Sequence, residues 1–170
     1  MRHWFALPLL AFATPAAADW QYTRWGMPLD EVIAASSGKA TLVPEEKGKR
    51  IRKLQRLAIG SVTEGKAEFQ VEFYFDKKKL KLIRYVPTSK ISCGEEEQLL
   101  IEQFGPAEPS TMQFQFTTMN KAVGKSRKLK WAYPVENQLT FSTLWFERED
   151  MPGIKTEQIC TAVIEPKEAA

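Results

Sequence analysis

Few residues in this chain could do chemistry. Cys93 and Cys160 are its only cysteines. An even count in a chain sent to an oxidising compartment reads as a disulfide. A redox-active pair is expected in a Cys-x-x-Cys arrangement, and that spacing is missing. The one histidine, His3, lies so near the start that removal of a leader would take it away. The mature chain would then hold no side chain that titrates unperturbed near neutrality. The carboxylate runs Glu45-Glu46 and Glu95-Glu96-Glu97 have the residue types for acid–base work. Nothing in the sequence would hold one member protonated, and such runs read as solvated faces. Ser89-Lys90 has the types of a serine–lysine dyad, but adjacency does not supply the geometry. The sequence has no Gly-x-Ser-x-Gly elbow, no phosphate-cradling loop and no Cys/His metal spacing. The reading is a non-enzymatic chain with no catalytic residues, no metal ligands and no cofactor.

Recognition is the remaining option, and two residue sets could carry it. Basic residues gather at Lys49, Arg50, Arg52 and Lys53, at Lys77, Lys78 and Lys79, and at Lys125, Arg127 and Lys128. They fit an anionic envelope surface (lipid head group or cell-wall polymer), an acidic partner protein, or the protection of sheet edges from pairing with neighbours. Trp20, Tyr22 and Trp25 cluster near the mature N-terminus. They are interface anchors, or they tuck beneath the fold to tie the terminus down. Without Arg2, 23 Lys and Arg face 21 Asp and Glu, a net charge of +2. That balance speaks against nucleic acid as a partner.

The address comes from residues 1–18. Arg2, the short apolar run Trp4 to Phe12 and Ala16-Ala17-Ala18 before Asp19 match a secretory signal peptide. The run is too short to span a bilayer, and no second apolar stretch follows, so no transmembrane segment is expected after cleavage. The expectation is a periplasmic or secreted domain over residues 19–170, with an envelope protein as its partner.

The elements that must position these residues fall into two similar series, 25–87 and 92–166. In the first, Pro28, Asp30 and Glu31 suit a helix start, with Leu29, Val32, Ile33 and Ser36 on one face and Gly38 at the end. In the second, Ser92 and Glu95 have capping-box spacing, Leu99, Leu100 and Phe104 are apolar, and Gly105-Pro106 stops the helix. The period then shortens to two. Phe69, Val71, Phe73 and Phe75 alternate with Glu68, Gln70, Glu72 and Tyr74, the latter set expected to be wet. Leu139, Phe141, Thr143 and Trp145 repeat the pattern. Flanking strands are expected at 54–62, 80–86, 128–133 and 157–164, the first three strands joined by hairpin-sized turns. The fold class is α+β: an antiparallel sheet with two short helices packed on one face. Duplication of an α-β-β-β unit and chance similarity of two such units both stay open.

The stretch Trp25-Gly26-Met27-Pro28-Leu29-Asp30-Glu31-Val32 resembles the helix opening of SmpA/BamE-like outer-membrane assembly modules. The doubled arrangement is similar to that of the secreted β-lactamase inhibitory proteins, which form a concave binding sheet. The series Phe73-x-Phe75, Leu80, Cys93, Leu99-Leu100, Phe104-Gly105-Pro106 and Cys160 resembles exported bacterial proteins of uncharacterised role. These resemblances imply a helix-plus-sheet scaffold that binds protein, and no functional residue is carried over from them.

Overall fold

The structure is a computed structural model. It describes residues 19–44, 47–65, 67–115, 122–132, 136–148, 151–155 and 158–167, with backbone alone at 114–115, 122, 148 and 151–155. Residues 1–18, expected from the sequence to be a leader, and Glu45-Glu46, Tyr133 and Glu157 lie outside the described residues. Helix α1 spans Leu29–Ala35 and α2 spans Cys93–Phe104. The strands are β1 Ala40–Leu42, β2 Arg50–Ile51, β3 Leu54–Glu64, β4 Ala67–Asp76, β5 Lys79–Pro87, β6 Ser110–Gln115, β7 Ala122–Ala132, β8 Asn137–Arg148, β9 Met151–Lys155 and β10 Ile159–Pro166.

All ten strands join one antiparallel sheet in the order β1-β3-β4-β5-β10-β8-β7-β6, with β2 pairing β3 and β9 pairing β8 off this path. The protein is therefore of mixed α+β class with sheet predominating. The middle of the sheet is the β5–β10 pair, where Ile83, Arg84 and Tyr85 face Ile164, Val163 and Ala162.

Both helix starts follow from local chemistry. Ser92 Oγ accepts the Glu95 backbone N–H, and the Glu95 carboxylate accepts the Ser92 N–H, closing the expected capping box. Gly105, at φ 85°, ends α2 in the left-handed region. Pro28 takes the N-cap position of α1 and not the first turn, since its extended backbone precedes Leu29.

One apolar core draws Phe69, Val71, Phe73 and Phe75 from β4, Ile83 and Tyr85 from β5, Leu129 and Trp131 from β7, Leu139 and Phe141 from β8, and Ala162 and Ile164 from β10. Val32 of α1 and Leu100 of α2 belong to the same cluster. Each large side chain buried here contributes roughly 1.5–3 kcal/mol relative to exposure. We call the strand residues of this cluster, with their same-side neighbours, the first face.

The alternating residues form the second face, and there one expectation needs correction. Glu72 and Tyr74 are not wet; they are 2% and 0% exposed. The β2–β3 hairpin folds over them, because its apolar Ile51 and Leu54 pack on Tyr74, Leu82 and Val163 in a second small cluster. The Glu72 carboxylate pays for burial by accepting from Arg56, Arg84 and the Tyr74 hydroxyl.

Candidate functional site

The period-two geometry of strands sorts the second face into transverse rows, each about 7 Å from the next. One row runs Ile159, Leu144, Ser126, Met112 across β10, β8, β7 and β6. The next runs Thr161, Ser142, Lys128, Ser110, and the one after it Val163, Thr140, Lys130. The first row is apolar apart from Ser126, with Leu144 half-buried and its two ends open: Ile159 is 60% and Met112 63% exposed. The following rows present hydroxyls and lysines. A groove of about 650 Å³ lies against them, lined by Arg52, Lys128, Lys130, Gln138, Thr140, Glu165, Pro166 and Lys167. Four cationic side chains and one carboxylate line it. Arg52 reaches it from the β2–β3 turn, where its φ of 55° bends the chain over the sheet, and its guanidinium donates to Glu165 at 2.8 Å.

The structure brings together only part of the basic set expected from sequence. Arg52 and Lys128 meet in the groove, joined by Lys130 and by Lys167, which the sequence reading did not select as a site residue. Lys49, Arg50 and Lys53 are exposed around the β2–β3 hairpin and do not line the groove. Lys125 and Arg127 point to the first face. Lys125 donates to Glu147 at 2.6 Å, and Arg127 holds both oxygens of Glu97 at 2.5 and 2.7 Å. Alternation along β7 separates Arg127 from Lys128, although they are neighbours in sequence. Lys77 and Lys78 form the two-residue β4–β5 turn, and Lys79 opens β5.

The aromatic trio sits in or on the core. Trp20 is 2% exposed, packs edge-on against Phe73 and Tyr85, and donates its indole N–H to the Tyr85 hydroxyl, which donates to Glu64. Trp20 is therefore no surface contact; an indole gains more from an apolar site that also satisfies its N–H. Tyr22 and Trp25 are half-buried against the same core. Burial pushes the Tyr22 phenol up to about 12.

Cys93 and Cys160 are joined in a disulfide, with Cα atoms 5.6 Å apart, linking the first turn of α2 to β10. Glu96, one turn further along α2, is 5% exposed. Its Oε2 lies 3.2 Å from Cys160 Sγ. Burial pushes this carboxyl up to about 7, against the Arg84 guanidinium, which favours the charged form. Glu95 differs: hydrogen bonds from Ser92 hold it below the ordinary glutamate value. The run Glu95-Glu96-Glu97 is thus a cap, a buried acid and an ion-pair partner. Its helical phase was the signal that could have separated the three.

No protein-family model, no curated protein and no solved structure matches this chain. No helix among the described residues is long and apolar enough to cross a membrane.

Proposed function

We propose that this chain is an exported, non-enzymatic binding module that engages a protein partner of the cell envelope through the second face of its sheet. The observation that carries the reading is the juxtaposition of an open apolar row, Ile159, Leu144 and Met112, with the cationic groove of Arg52, Lys128, Lys130 and Lys167. An apolar strip beside a charged one suits an acidic, amphipathic protein surface. Both helices pack on the first face in this reading, which leaves the second for the partner.

The scaffold is read as two α-β-β-β units side by side. In support, β5-β4-β3 and β10-β8-β7 run outward in matching order from the central antiparallel pair. The late strand of each unit then seals the other's, and the second faces merge into one surface.

A second reading, attachment to anionic lipid or polymer, draws on the same four cations. Salt separates the two. A purely electrostatic surface contact weakens steeply as ionic strength rises, whereas the apolar row keeps part of the protein affinity. The test is binding to envelope extract and to anionic vesicles across a salt series, for wild type and for Lys128→Glu/Lys130→Glu. Capture of one protein that survives high salt and is lost in the double variant supports the reading. Vesicle binding abolished by salt, with no protein captured, refutes it.

A further inference from the structure

The buried carboxyl of Glu96 is unexplained by packing. A disulfide sulfur carries no proton, so across the 3.2 Å contact with Cys160 Sγ only a protonated Glu96 carboxyl is placed to donate. That sulfur is its only hydrogen-bond-range contact among the described residues. An apolar side chain of similar volume would fill the same space without desolvating an acid. Cys93 occupies the first turn of α2, where the helix N-terminus stabilises a thiolate. A pocket of about 270 Å³ opens onto Cys93 between Gln98 and Arg127.

We propose that Cys93 and Cys160 form a thiol-exchange centre, with Cys93 as the sulfur attacked, Glu96 as proton donor to Cys160, and an external thiol, free or on a partner protein, as the stoichiometric reductant. The thiolate enters by the pocket and attacks Cys93 Sγ. A sulfur–sulfur bond forms to Cys93 as the Cys93–Cys160 bond breaks, and the electron pair leaves on Cys160 Sγ, which takes the proton of Glu96. A second external thiolate then attacks the external sulfur of the mixed disulfide and releases Cys93 as a thiolate at the α2 N-terminus. The protein disulfide is reduced by two electrons, two external thiols are oxidised to one disulfide, and solvent returns the proton to Glu96.

The charged groups around Glu96 fit this role. Arg84 on β5, paired with Glu72 on the second face, acts across the sheet by charge alone and favours the ionised form, while Arg127 on β7 is closed onto Glu97. Glu95 faces solvent in its cap with Ser92.

Single-turnover reduction of the oxidised full chain by dithiothreitol, without denaturant and normalised to thiolate concentration, tests the proposal. Wild type is expected to react while folded, with a rate that declines as Glu96 ionises around pH 7. Glu96→Gln is expected to lose that inflection and to react on the order of tenfold or more slowly at acidic pH. Glu102→Gln, exposed on α2 outside the pocket, is expected to keep the wild-type inflection, and Glu96→Asp, which keeps a carboxyl at the site, is expected to retain one and so covers the case of a misfolded Glu96→Gln. Reduction only at the rate of unfolding, or a wild-type profile without an inflection or shared by Glu96→Gln, overturns it.

Discussion

Trp25 donates its indole N–H to Asn137 Oδ1 at 2.6 Å, although the two residues lie 112 positions apart. Asn137 is fully buried and spends its other end on the backbone carbonyl of Asp19, at 2.5 Å. One amide at the start of β8 thus pins the N-terminal segment. Asn137→Ala orphans both partners, and the expected loss is roughly 2–4 kcal/mol of unfolding free energy, measured by chemical denaturation. Unchanged stability would show that the segment is held by its aromatic packing alone.

The β4–β5 turn should be improvable. Lys77 and Lys78 both adopt positive φ, 45° and 63°. A two-residue hairpin of this kind favours Asn-Gly, and a side chain such as lysine is strained there by roughly 1 kcal/mol or more. Lys77→Asn/Lys78→Gly is expected to raise stability by about 1 kcal/mol in the same denaturation assay.

Stability should fall as pH rises through the Glu96 window. Between 4.5, the unperturbed value, and about 7, folded Glu96 keeps a proton that the unfolded chain has released. Stability is therefore fullest below the unfolded value and declines up to the folded one, by on the order of 1–2 kcal/mol after solvent screening. Glu96→Gln, with the disulfide intact, is expected to show no such slope when thermal midpoints are compared across this window.

Much of the framework was legible from local pattern. The alternation Phe69, Val71, Phe73, Phe75 placed β4, and the Ser92–Glu95 spacing placed α2, because both signals reside in a few consecutive residues. The pairing of β5 with β10 was not legible, since its register is set by contacts some 80 residues apart along the chain. Strands β1, β2, β6 and β9 were missed because short edge strands have little periodicity of their own. Glu72 was misread as wet because burial on the second face depends on a hairpin laid across it, and alternation says only which side a residue takes. At the site, counting charges found Arg52 and Lys128 but could not know that Arg127 points the other way into Glu97.

Site-specific photocrosslinking in intact cells tests the binding-face account most directly. A photoreactive residue at Met112, in the open apolar row, is expected to capture one envelope protein, and Lys128→Glu/Lys130→Glu in the same chain is expected to abolish the adduct. The same probe at Glu102, exposed on α2, is expected to capture none. Equal adducts from positions 112 and 102, or an adduct at Met112 indifferent to the double charge reversal, would contradict the assignment of the second face as the site of recognition.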